Sequence, residues 1–203
     1  MQKGILLPTF YLGPIEYFNW VNSQPTAIKL EKFEHFPKQT YRNRARIHSP
    51  NGILDLIIPV KKGANNHSLI KDVRISYDAD WQRLHWRSFQ AAYRSSSFFE
   101  FYEDDFAPFY HQKTVFLYDF NCQLLELCLA LLKINGKFEN TSEYIKQPDD
   151  YIDLRNAIHP KKEVNYASSK EYFQVFSQKN GFIPNLSIVD LLFNQGPQSK
   201  QFL

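Results

Sequence analysis

Apolar residues follow one rhythm before Trp81 and another after it. In the first part they come as short runs ended by proline or a turn residue. Gly4 to Leu7 is such a run, stopped by Pro8, and it has the pattern of a buried strand. Pro14 stands where a first helical turn accepts proline. Ile15, Phe18 and Val21, with Tyr17 and Trp20 beside them, then predict a helix of about two turns. Ala27 to Leu30 reads as a second strand. In ARIHSPNGILDLIIPV, Asn51-Gly52 lies between two apolar-rich runs, the strongest short-range hairpin signal. KKGANNHS reads as a polar loop and DVRIS as another short strand.

From Trp81 the period becomes helical. Trp81, His85, Phe89 and Ala92 share one face, while Arg83, Arg87 and Arg94 take another. SSSFFEFYEDDFAPFY is aromatic and acidic together and is interrupted by Pro108. A long helix is expected from about Thr114 to Ile134. Its stripe of Phe116, Phe120, Leu124, Leu127, Leu131 and Ile134, widened by Leu117, Cys128 and Leu132, requires cover on nearly every side. Gly136 is its expected C-cap. Residues 137–170 are polar with little periodicity and read as a long loop or an extended arm. In FIPNLSIVDLLFNQGP, Ser187 and Asp190 have capping-box spacing, Leu186 and Leu191 fit a hydrophobic staple, and Gly196-Pro197 supplies a stop. The terminal helix is expected at about 187–195.

Together these elements predict an α/β (or α+β) fold. A small mixed sheet with a β-hairpin is packed by several helices, including one long helix in the C-terminal half. Residues 1–203 are expected to form one domain, and no internal repeat interrupts them.

Composition narrows the classes. The net charge is only +3, which argues against nucleic acid as the partner. Aromatics reach 16%, enough for an aromatic core or a ligand-facing aromatic surface. Cys122 and Cys128 are separated by about 9 Å of helical rise, too far for a disulfide, and read as core thiols in a reducing compartment. No apolar stretch is long enough to span a membrane. The opening MQKGILLPTF has too short an apolar run for a signal peptide, so a cytoplasmic location is expected.

Candidate chemistry centres on KQTYRNR, residues 38–44, where no acidic residue stands among the cations. As a strand it would place Lys38, Thr40, Arg42 and Arg44 on one face, able to hold phosphate or carboxylate. The other face would offer Gln39, Tyr41 and Asn43 to a sugar or an amide. The plain alternative is an edge strand blunted by charge. His85, on the apolar stripe of its helix, is a candidate general base or a satisfied core histidine. Glu100, Glu103, Asp104 and Asp105 could hold a cation or amine, or start a solvated helix. The other histidines lack metal-type spacing. No nucleotide-binding glycine loop and no nucleophile elbow are present.

Several blocks carry a resemblance. LPTFYLGPIEYF, YRNRARI with LDLIIPV, DVRIS with Trp81, LHW and AAY, and finally LSIVDLLFNQG are similar, in this order, to segments of the WbqC-like proteins. Leu7 departs from the glutamine that many relatives carry. The resemblance implies an enzyme of surface polysaccharide or O-antigen synthesis. Its substrate would be a small molecule, an activated (nucleotide-linked) sugar or an acyl donor, with acyl or aminoacyl transfer to an amino sugar as the reaction. It adds weight to Arg42, Asn43, Arg44, His85, Tyr93 and Asn194, which fall in matched blocks. In the transferase reading Lys38, Arg42 and Arg44 bind phosphate or an acyl carboxylate, Tyr41 and Asn43 orient the sugar, and His85 is the base. The alternative is a non-catalytic ligand-binding or scaffolding subunit of a glycan-assembly complex. The sequence names no cofactor and leaves homo-oligomerisation open.

Overall fold

The computed structural model describes residues 3–23, 28–61, 63, 67–162 and 170–203. Its first strand, β1 (Gly4–Leu7), is followed by α1 (Ile15–Ser23), which buries Ile15, Phe18 and Val21 as their spacing requires. β2 (Ile28–Leu30) comes next; Ala27, expected to begin it, lies outside the described residues. β3 (Arg44–Ser49) and β4 (Gly52–Ile57) are antiparallel, with Ser49 opposite Gly52. Gly52 has φ +95°, the left-handed conformation that this hairpin demands of its turn. DVRIS forms isolated bridges rather than a strand, pairing Ile75 with Val60 and Arg74 with Phe116.

α2 (Trp81–Tyr93) buries Trp81, His85, Phe89 and Ala92, the stripe that the period gives. α3 (Phe99–His111) passes through Pro108, which the sequence reading takes as an interruption. Buried Phe99, Phe106 and Tyr110 hold it against the core, and proline in the last turn removes only one donor near a frayed end. α4 (Leu117–Leu132) ends at Lys133, which adopts φ +54° in the left-handed cap position. Gly136 does not cap it. A Cβ on Gly136 would lie 2.8 Å from the Phe138 ring, so that glycine answers a close approach.

Residues 137–170, expected as a loop or arm, supply two further strands, β5 (Phe138–Asn140) and β6 (Tyr151–Asp153). Both are short and exposed along part of their length, which is why no periodicity marks them. The chain closes with α5 (Ser177–Asn180), α6 (Ile188–Gln195) and a 3₁₀ segment, Gly196–Phe202. No capping box forms at α6. Ser187 Oγ donates to the Leu12 carbonyl at 2.7 Å, and Asp190 is buried within the core. That pairing ties the start of α6 to the start of α1, where Ile188 N–H bonds to the Gly13 carbonyl and Ile15 N–H to that of Leu186.

The strands divide between two sheets. β3 and β4 form the antiparallel pair, while β5, β2, β1 and β6 lie in that order in a parallel sheet. This is an α/β fold. β1 is central, and Ile5, Leu6 and Leu7 are all fully buried, as a strand covered on both faces requires. Ile5, Leu7, Ile28 and Leu30 share the face that meets the main apolar cluster. Tyr118 of α4 reaches that face and donates to Asn140 Oδ1 at 2.7 Å. Leu6, Lys29, Glu139 and Asp153 share the other face.

Candidate functional site at the carboxyl edge of the parallel sheet

KQTYRNR is not a strand. Lys38–Asn43 form turns, and only Arg44 enters β3. Alternation of faces therefore does not apply, and the side chains disperse. Arg42 turns inward and is 1% exposed. Its Nε donates to Glu34 Oε1 at 2.6 Å, and its Nη2 donates to Glu34 Oε2 at 2.5 Å and to the Arg155 carbonyl at 2.9 Å. Arg44 reaches Asp55 at 3.1 Å, and Arg46 shares the same carboxylate. The missing acids of the run are thus supplied by Glu34 and Asp55, from outside it. Tyr41 is buried against Phe10, Asn43 donates to the Ile58 carbonyl, and Lys38 is exposed.

His85 lies in an aromatic box. Its Nδ1 hydrogen-bonds Tyr11 Oη at 2.9 Å, and its ring also meets the Ile57 backbone. Trp81 packs edge-on at 5.1 Å. Burial disfavours the imidazolium and lowers the pKa to about 4. At neutral pH this ring is uncharged and fully engaged, the state of a packed core histidine.

Tyr93 and Asn194 converge on Asp190. Tyr93 and Tyr172 each donate a hydroxyl to one carboxylate oxygen, at 2.7 and 2.6 Å, and Gln174 adds a third donor at 3.1 Å. Asn194 Nδ2 donates to the Asp190 carbonyl. Burial raises the Asp190 pKa, and the two phenols draw it back. The network clamps α2, α6 and the 172–174 segment together.

Parallel sheets bind ligands outside the carboxyl ends of their strands, where the order of strands diverges. Here β2 continues one way from β1 and β6 joins on the other side. The residues leaving those carboxyl ends carry a buried charge network. Glu31, directly after β2, is 0% exposed. It accepts from Phe33 N–H, Thr141 Oγ1, Ile145 N–H and Arg155 Nη1. Arg155, just after β6, also binds both oxygens of Asp153 and lies over the Tyr144 ring at 4.7 Å. Burial opposes the Asp153 charge, yet the Arg155 hydrogen bonds prevail and hold its carboxyl below the usual range. The Arg155 carbonyl then receives Arg42, joining this cluster to Glu34.

Above the network opens a cleft of about 610 Å³, lined by Phe33, Glu34, His35, Tyr144, Lys146 and Asn156 among others. Burial raises the Glu34 carboxyl above its ordinary value, and Arg42 draws it back. A second hollow of about 460 Å³ lies between α4 and β5. Leu125, Leu129, Ile134 and Phe138 line it, together with Glu126, Asn135 and Asn140. The first cleft is the stronger candidate of the two because it is the larger and adds an ammonium group, Lys146, to aromatic, carboxylate and amide groups.

The family model for the WbqC-like proteins matches residues 9–175 and 149–202. The chain belongs to the WbqC-like protein family. The uncharacterized protein Rv1507c of Mycobacterium tuberculosis is 25% identical to this WbqC-like chain, over an alignment that covers 100% of the chain and 98% of that protein. No solved structure matches. Among the described residues, no helix is long and apolar enough to cross a membrane, and no cluster of His, Cys, Asp and Glu could hold a metal ion. Of the sequence-predicted residues, Tyr93 and Asn194 come together at Asp190, and Arg42 meets the cleft only through Glu34. The others stand apart from these two places. Glu31, Glu34, Tyr144, Lys146 and Arg155 were not anticipated, although Glu31 directly follows a predicted strand and Glu34 comes three residues later.

Proposed function

We propose that this WbqC-like protein is a transferase acting on an activated, nucleotide-linked sugar in surface polysaccharide synthesis, with the sugar seated in the carboxyl-edge cleft. The observation that carries the reading is the chemistry of the cleft wall. Phe33 and Tyr144 offer aromatic planes for the C–H face of a sugar ring, while Glu34, Asn156 and Lys146 suit its hydroxyls and a phosphate or acyl oxygen. Glu34 is the group suited to general base chemistry in this arrangement, since burial raises its pKa and Arg42 fixes its orientation. In this reading an acceptor hydroxyl or amine passes its proton to Glu34 as it bonds to the transferred group, and the donor's leaving group departs with the bonding electrons. The role assigned to His85 from sequence passes to Glu34, because Glu34 lines the cleft and His85 does not. Arg42 becomes a positioning residue.

The packing of His85 favours a second reading, a ligand-binding subunit without catalysis. Titration calorimetry with a panel of nucleotide-sugars separates the two. One member should bind wild type and lose at least about tenfold in affinity with Tyr144→Ala, an exposed position whose loss leaves the core intact. Tight binding with no turnover in the presence of amino-sugar acceptors would select the second reading. Failure of every member to bind the folded protein would overturn both.

A further inference from the structure

The β3–β4 hairpin has one closed edge and one open edge. Ala45 faces Leu56 and Ile47 faces Leu54, and just beyond them Ile58 N–H bonds the Asn43 carbonyl. Alternation makes Ala45–Leu56 and Ile47–Leu54 the hydrogen-bonded pairs, and it turns the backbone groups of Ile53, Asp55 and Ile57 away from β3. On the β3 side the outward groups are taken. The Arg46 carbonyl accepts Ser187 N–H at 2.8 Å, and His48 N–H reaches Tyr93 Oη at 3.3 Å. On the β4 side the His85 ring engages the Ile57 backbone. Among the described residues, nothing bonds the N–H or the carbonyl of Ile53 or Asp55.

The side chains of β4 are as bare as its backbone. Ile53, Leu54 and Ile57 are 52%, 36% and 45% exposed. Edge strands are usually blunted by lysine, proline or an unpaired inward charge. β4 has no lysine and no proline, and the charge of its Asp55 is matched by Arg44 and Arg46.

We propose that β4 pairs with β4 of a second copy of this chain, antiparallel about a two-fold axis at Leu54. Ile53 then lies opposite the second copy's Asp55, and Asp55 opposite its Ile53, so the open N–H and carbonyl groups of both residues satisfy one another. Leu54 meets its own counterpart. An apolar row of Ile47, Leu54 and their two counterparts crosses the interface on the face that carries buried Ile47. The hairpin pair becomes a four-stranded sheet.

The open backbone itself selects a second copy as the occupant. It spans Ile53 to Asp55 and offers one outward donor and one outward acceptor at each end, a set complementary to itself on rotation about Leu54. Centring the axis on Asp55 instead would oppose two carboxylates and claim the Ile57 backbone that His85 holds. At the Leu54 register no like charges stand opposite each other.

Sedimentation velocity over about a hundredfold range of concentration tests the pairing. The average mass of wild type should rise from that of the monomer towards twice that value. Leu54→Lys sets two like charges face to face and should hold the protein at the monomer mass. Phe101→Lys, at an exposed ring on α3, should dimerise as wild type does. Oxidative cross-linking reads the register. Leu54→Cys stands about 4.5 Å from its counterpart between Cα atoms, within disulfide reach, and should yield a covalent dimer. Ile57→Cys stands about 20 Å from its own and should not. Wild type, with Cys128 buried and Cys122 partly so, should stay uncross-linked. Wild type that remains monomeric throughout would overturn the proposal, as would a dimer that survives Leu54→Lys or is lost with Phe101→Lys. A covalent dimer from Ile57→Cys and none from Leu54→Cys would overturn it equally.

Discussion

Replacing Glu34 with glutamine probes the ion pair beneath the cleft. The Arg42 side chain is 2% exposed and that of Glu34 8%. Glutamine preserves the volume but removes the charge and turns one acceptor oxygen into an N–H₂ group facing an arginine donor. Arginine cannot discharge itself by losing a proton. Its charge would remain in a low-dielectric site with the Arg155 carbonyl and one glutamine oxygen as its surviving acceptors. Breaking a buried pair from one side costs about 3–5 kcal/mol. At about 2–4 °C per kcal/mol for a chain of this size, the midpoint should fall by about 6–20 °C. Arg42→Met leaves the opposite orphan, a carboxyl that can neutralise itself by binding a proton. Burial already holds the folded Glu34 pKa above its ordinary value; with the guanidinium gone, burial and the nearby Glu31 raise it further, opposed by Arg155. The folded state then binds that proton more tightly, so Arg42→Met should recover stability relative to wild type as the pH falls. Urea denaturation of wild type, both variants and the double variant, at about pH 7.5 and about pH 5.5, measures each cost and the coupling between them. The reasoning fails if Glu34→Gln lies within about 1 kcal/mol of wild type, or if Arg42→Met is the costlier change at both pH values.

His85 gives a second pH signature. Its folded pKa is about 4, so an unfolded imidazole at about 6.5 takes up its proton first as the pH drops. The group should therefore remove about 3 kcal/mol of stability between about pH 6.5 and pH 4. His85→Gln should lack that loss when two urea series are subtracted, and parallel curves would contradict the buried, neutral ring. At the end of α4, Lys133→Gly should raise the urea midpoint by the equivalent of about 1 kcal/mol, because Lys133 holds φ +54° with a Cβ. An unchanged midpoint would mean that the cap carries no strain.

Elements with a strong local code were legible. The hairpin followed from Asn51-Gly52, and α2 and α4 from their apolar stripes, because each such pattern needs only neighbours in sequence. α3 was obscured by Pro108, whose cost in a last turn is far smaller than mid-helix. β5 and β6 were obscured for another reason. Three-residue edge strands such as Phe138–Asn140 and Tyr151–Asp153 bury little, and their pairing is set by β2 and β1 rather than by their own residues.

The same limit governed the site. In KQTYRNR the absence of an acid suggested open cations, yet a counter-charge need not be local: Glu34 lies eight positions before Arg42, and Asp55 lies eleven after Arg44. Asp190 and Ser187 illustrate the converse. Their spacing fits a capping box, but Tyr93, Tyr172 and Leu12 provide stronger long-range partners, and a side chain fully withdrawn from water goes where its hydrogen bonds can be satisfied. Glu31 and Arg155 were visible as residues, separated by more than half the chain. They become one network only when β6 joins β1 opposite β2, so that two strand ends project side by side. The carboxyl edge therefore exists only in the assembled sheet. Its ligand-facing residues can be read from sequence only after the register of β5 and β6 is known.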